Sequence, residues 1–231
     1  MLTHPLNTKW RWSYKPTIVY QQQSAEDWLA DYRPVLETPI DSIETFWRVY
    51  SNVPTLSALD CGNIYALFRD NITASWEDKA NEDGFSVVMY MNKYISPAYM
   101  KKLYQHALFV TIGANSPFAS ELNGCTFERK VGGNKIAFWM KTNINSVKEQ
   151  LQMAMSVIKA LDIPFNDIVN VDDELRIDWK DPKQAAQKIT VKCVSHKKRA
   201  TEPMVPRTRY PNSNNVQPKR YNNQPPRSNR K

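Results

Sequence analysis

Histidine is scarce in this chain: His4, His106 and His196 are its only three, and they lie far apart. A nucleophile–histidine or acid–base pair has little to draw on. Neither a G-x-x-x-x-G-K phosphate loop nor a G-x-S-x-G elbow occurs. An enzyme is therefore not expected, and no catalytic residue is assigned. Cysteine is nearly as sparse. Cys61, Cys125 and Cys193 are odd in number and lack the close pairs that metal sites use. Neither a metal site nor a cofactor is expected, and free thiols in a reducing compartment follow. No run of 18 apolar residues exists, and the start Met1-Leu2-Thr3-His4-Pro5 has no basic segment leading into an apolar one. These absences point to a soluble cytosolic protein with no membrane partner, its presence in the nucleus being left open.

What is present is an ordinary core with an unusual end. Apolar residues make up 42% of 231, enough to fill one domain, and seven Trp with eleven Tyr are a heavy aromatic load. The net charge of +8 is unevenly spread. From Lys192 onward there are eleven Lys or Arg against the single acid Glu202, so that end carries about +10 and the remainder about −2. Phosphate recognition by the body must then rest on a few placed residues. Residues 201–231 hold six prolines, many Asn and regularly spaced basic residues, a composition that cannot bury enough to fold. The expected organisation is a folded domain over 1–180, a basic strand or linker over 181–200, and a disordered tail over 201–231.

Along the body, Trp10, Trp12 and Tyr14 alternate as on a half-buried strand. Asp41 and Glu44 suggest a capping box. Ile43, Phe46, Trp47 and Tyr50 then follow as one helical stripe, which either packs in the core or anchors a partner helix. Tyr65 to Phe68 reads as a short strand, and Phe85 to Met91, apolar on both phases, as a central one. Ser96-Pro97 opens a second helix that ends at Gly113. Cys125–Val131 and Lys135–Met140 flank Gly132-Gly133-Asn134, a hairpin signal. A third helix starts at Ser146, with Glu149 completing a capping box, and stops at Asp162-Ile163-Pro164. The expected fold class is α+β: a single domain in which a curved antiparallel sheet is backed by three helices on its convex face, with a ligand on the concave one.

The stretch Ser75-Trp76-Glu77-Asp78 sits in an irregular segment, and Trp28 lies upstream on a polar loop. Two such indoles can hold a flat cationic purine between them, with a carboxylate at the ring edge accepting its N–H donors. The alternative is a core Trp followed by a solvated acidic turn.

Taken together, His4-Pro5-Leu6 with Trp10, Glu44-x-Phe46-Trp47-x-x-Tyr50, Tyr65-x-Leu67-Phe68, Trp76-Glu77-Asp78, Ile112-Gly113 and Lys135-Ile136-Ala137-Phe138-Trp139 resemble the mRNA cap-binding translation initiation factor 4E family. The match in order and spacing covers roughly residues 4 to 180. The resemblance implies that Trp28 and Trp76 stack on 7-methylguanine, Glu77 reads the guanine edge and Trp139 touches the N7-methyl. It assigns Lys135 to the cap phosphates together with Lys130, or with its neighbour Arg129. Capped mRNA is the implied ligand. The implied protein partner is an initiation factor 4G-like scaffold or a 4E-binding protein, docking a Tyr-x-x-x-x-Leu helix on Pro5, Ile43, Trp47, Gln105, His106 and Phe109. Ser86 and Gly132 stand where the family often has arginine and lysine, which implies a weaker triphosphate grip. Two other functions stay open: a cap-binding repressor, and a single-strand RNA-binding or assembly protein that acts through its basic tail.

Overall fold

The structure is a computed structural model that describes residues 3–17, 32–114, 116–141, 144, 146–162, 167–171, 174–179 and 187–196. Among these residues, ten strands form one antiparallel sheet. Its long first strand, β1 (Pro5–Lys15), pairs with the short β2 (Arg33–Pro34) and β3 (Ile40–Ser42) on one side and with β4 (Ile64–Arg69) on the other. Beyond β4 come β6 (Leu122–Lys130), β7 (Gly133–Met140), β5 (Phe85–Asn92), β10 (Gln187–Ser195), β9 (Glu174–Trp179) and β8 (Asp167–Val171). β10 pairs with both β5 and β9, so the sheet runs past residue 180 and the basic strand is one of its members.

Three helices, α1 (Ile43–Tyr50), α2 (Pro97–Ile112) and α3 (Val147–Ala160), share one hydrophobic cluster with one face of the sheet. Strand alternation explains this division. Trp10, Trp12, Tyr65, Leu67, Phe127, Ile136 and Phe138 point toward the helices and meet Phe46, Leu103, Tyr104 and Val157. Trp10 and Trp12 are buried there, with Trp12 stacked on Phe46 at 6.2 Å, so both are core residues on the buried side of the half-buried strand. The opposite face carries a smaller cluster, described below, and no helix covers it among the described residues.

The helix starts differ in detail from the sequence reading. The N-cap of α1 is Ser42, whose hydroxyl accepts from Thr45 N at 3.3 Å; Asp41 lies in β3. Glu44 does not reach back along its own helix. It accepts from the backbone N of His4 at 3.0 Å and pairs with His4 Nδ1 at 2.6 Å, clipping the chain's start onto α1. Those His4 contacts hold its carboxyl down at about 2. α2 begins as read, with Ser96 as N-cap and Pro97 in the first turn, and Gly113 is its C-cap. Ser146 caps α3 by position alone, with no side-chain hydrogen bond, so the second capping box does not form. In the β6–β7 hairpin the two residues between the strands are Val131 and Gly132, because Gly133 already pairs with Lys130. All three cysteines are free: Cys61 is exposed, Cys125 buried and Cys193 half-buried. Among the described residues no helix is long and apolar enough to cross a membrane.

Candidate nucleic-acid interface

The register of five strand pairings lays the open face out in three rows. One row runs Arg11, Phe68, Gly124, Trp139, Ser86, Val194 and is the aromatic one. The middle row, Ser13, Ala66, Thr126, Ala137, Val88, Lys192, is built mostly of small side chains and makes a shallow floor. The third, Lys15, Ile64, Glu128, Lys135, Tyr90, Thr190, is polar and charged. The floor thus lies between an aromatic row and a charged row.

Trp139 anchors the aromatic row. Its Nε1 donates to Thr126 Oγ1 at 3.2 Å, and its ring meets Phe68 edge-on at 5.5 Å. Gly124 permits this contact, since a Cβ there would collide with the Phe68 ring. On its other flank the indole lies 4.7 Å from the ring of His196. His196 is 2% exposed and fully engaged, pairing through Nε2 with Ser86 Oγ at 2.8 Å and donating from Nδ1 to the Asn81 carbonyl at 2.6 Å.

Trp76 projects from the loop between β4 and β5 and packs, half-buried, on the same patch as Phe68, Ala74, Val88 and Trp139. The loop is held from inside. Asp78 accepts from Thr73 N at 2.7 Å and from Ala80 N at 2.9 Å. Asn81, with 0% exposure, donates to the carbonyls of Thr73 at 2.9 Å and Ser75 at 2.8 Å, and accepts from Asn123 Nδ2 at 3.0 Å. The two acids of Trp-Glu-Asp therefore divide their work. Asp78 folds the loop, whereas Glu77 is exposed and takes only the Ser75 hydroxyl, with its own backbone N donating back to Ser75 Oγ at 3.1 Å. Trp28 lies outside the described residues.

At the charged end, Lys130 Nζ and Lys135 Nζ reach the two oxygens of Glu128, at 3.2 and 3.4 Å. Arg129, named with Lys130 as a phosphate residue, points to the opposite face because adjacent strand residues alternate. There its guanidinium donates to the Ser57 carbonyl. The ring of Tyr32 belongs to the open-face cluster, with Lys15 Nζ 5.5 Å from its centre. Burial, reinforced by the charge of Glu128, pushes its phenol well above the usual range. Tyr32, Arg11, Ser13, Phe68 and residues 70–74 enclose a cavity of about 280 Å³, with the Arg11–Asp70 ion pair, 2.8 Å long, on its wall.

On the helical face, Ile43 and Trp47 of α1 are 43% and 41% exposed, unusual for residues this large. Phe109 of α2 meets Trp47 at 5.6 Å, and His106 meets Phe109 at 6.3 Å while its Nδ1 donates to the Leu161 carbonyl at 2.6 Å. Gln105 is half-buried one residue before His106. Pro5 is exposed and pairs across from Ser42, next to Ile43. The structure thus gathers the expected partner-facing residues onto one surface, remote from the open face.

Sequence reasoning missed Glu128, Asn81, Asn123 and His196. The alternation of Thr126, Glu128 and Lys130 carried a signal for Glu128, but nothing local links Asn81 with residues 42 or 115 positions away. Among the described residues no three His, Cys, Asp or Glu side chains are grouped as a metal ion would require.

A family profile described as eukaryotic initiation factor 4E matches residues 5–195. The eukaryotic translation initiation factor 4E of Saccharomyces cerevisiae is 33% identical over 141 residues, a match covering 60% of this chain and 62% of the yeast protein's length. Among solved structures, C. elegans eIF4E-3 in complex with the 4E-binding protein Mextli superposes with a TM-score of 0.65 at 18% identity, covering 88% of this chain and 99% of that one. Ascaris suum eIF4E-3 in complex with an m2,2,7G cap gives 0.62 at 20% identity, covering 80% and 98%. A profile match over so much of the sheet and helices decides the matter: the chain belongs to the eukaryotic initiation factor 4E family.

Proposed function

We propose that the open face binds the 7-methylguanosine 5′ cap of mRNA and that the helical face recruits a translation initiation scaffold. The carrying observation is the row order: Trp76 and Trp139 at one end of a small-residue floor, Lys130 and Lys135 at the other. The methylated base, cationic and flat, stacks on Trp76, with Trp28 taken as the second stacking residue. Glu77 accepts the N–H donors of the guanine edge, and Trp139 contacts the N7-methyl. Lys130 and Lys135 meet the phosphates, with Ser86 and His196 contributing no exposed charge at the arginine position. Arg129 is left out of this site. No bond is made or broken, so the protein is a binding factor and not an enzyme.

Pro5, Ile43, Trp47, His106 and Phe109, with Gln105 at the edge, take the apolar side of a Tyr-x-x-x-x-Leu helix from a 4G-like scaffold or a 4E-binding protein. The pairing of β10 with β5 supports a body that extends beyond the expected boundary at residue 180, with the basic segment 201–231 adding non-specific phosphate contacts on longer RNA. Membership of a family of translation factors supports a cytoplasmic location. The test is substitution of each stacking residue. Trp76→Ala and Trp28→Ala should each lose cap-resin binding while keeping the wild-type circular dichroism spectrum, because stacking is worth about 1–3 kcal/mol per contact. Full retention by Trp28→Ala would transfer the second stacking role to Tyr32, which shares the patch with Trp76.

A further inference from the structure

We propose that Glu128 is a specificity-determining residue: an internal counter-anion that occupies Lys130 and Lys135 and so limits how much cap affinity grows with each phosphate. The proposal rests on the cap-binding reading above. Glu128 and Lys135 are direct cross-strand partners, and Lys130 stands two residues along β6 on the same face. The carboxylate uses both oxygens, one for each ammonium, at 3.2 and 3.4 Å. It is also deeply placed, with 12% of its side chain exposed against 36% for Lys130 and 16% for Lys135.

A phosphate chain that reaches both lysines must therefore approach a carboxylate already between them. Repulsion of this kind is weakly screened when the charge is largely buried. The opposite role, in which Glu128 holds the lysines in a useful pose, is disfavoured for Lys135. With 16% of its side chain exposed, Lys135 is largely buried and has a further interaction, so the carboxylate is not its sole restraint. One carboxylate thus cancels a large part of what this end of the face offers an anion.

The experiment compares the full chain with its Glu128→Gln variant. Gln keeps the shape and one acceptor oxygen while removing the charge. Affinities for 7-methylguanosine, its mono-, di- and triphosphate, and unmethylated GTP are read by tryptophan fluorescence. The expected result is an unchanged affinity for the nucleoside and at least a fivefold gain for the triphosphate, with a steeper salt dependence, on the order set by one screened charge. Unchanged phosphate increments, or a weaker triphosphate complex, with methyl discrimination retained would overturn the role given to Glu128. Equal binding of 7-methyl-GTP and GTP by the unaltered chain would instead overturn the cap-binding reading on which it stands.

Discussion

Asn81 offers a test of the site that does not begin with the ligand. Its amide donates to the Thr73 and Ser75 carbonyls and accepts from Asn123, and it has no access to solvent. Asn81→Ala removes all three bonds. The Thr73 carbonyl belongs to an exposed residue and can turn to water, and Asn123 keeps its second bond, to the Ala80 carbonyl at 2.6 Å. The Ser75 carbonyl has neither recourse. A buried polar group without a partner costs about 1–3 kcal/mol, and each lost hydrogen bond about 1 kcal/mol, so a loss of about 2–3 kcal/mol is expected. For a domain of this size that lowers Tm by roughly 5–10 °C. Because Ser75 directly precedes Trp76, the same change frees the indole proposed to stack on the cap, and cap affinity should fall at least about tenfold. Asn81→Asp keeps the acceptor for Asn123 but sets an oxygen against two carbonyls, so it should do no better than alanine. Thermal melts and cap titrations of both variants measure these effects. An Asn81→Ala protein with wild-type Tm and wild-type cap affinity would show that this loop is not held as described.

Two further expectations concern other parts of the molecule. Trp47→Ala should weaken a Tyr-x-x-x-x-Leu peptide by about 2 kcal/mol or more, since the exposed 41% of a side chain that can bury up to about 250 Å² is worth that much at about 25 cal/mol per Å². Cap affinity should stay constant, and an unaltered peptide Kd would remove Trp47 from the docking surface. Burial pushes the Cys193 thiol and the Tyr65 phenol up to about 12 each. Both groups are neutral in the folded chain and ionise earlier in the unfolded one, so their contribution is complete below about pH 9 and is lost as pH rises toward 12. Melting temperature should fall over that range, less steeply in Cys193→Ala; parallel curves would contradict the assignment.

The parts of the fold legible in the sequence are those whose signals are local. Ser96-Pro97 and Gly113 bound α2 because N-cap, N1 proline and C-cap chemistry act within one turn. Alternation exposed β1 and the apolar run exposed β5. At α1 a tertiary partner outbid the local one, Glu44 turning to His4 while Ser42 caps the helix; at α3 Ser146 makes no side-chain cap, and nothing in the structure explains why. In the site, Trp76, Glu77, Trp139, Lys130 and Lys135 were named from motifs, and the pleat alone separates Lys130 from Arg129. His196 was unreadable in advance, for its meaning lies in Ser86, Asn81 and Trp139, none of them near it in sequence.

The central claim is tested most directly by titrating the full chain with 7-methyl-GTP and with GTP while following tryptophan fluorescence. Stacking of a cationic base on Trp76 predicts strong quenching and a Kd at least about a hundredfold lower for the methylated nucleotide, since methylation creates the charge that the indole faces attract. Equal affinities for the two nucleotides, with or without quenching, would contradict a cap-binding role for the open face.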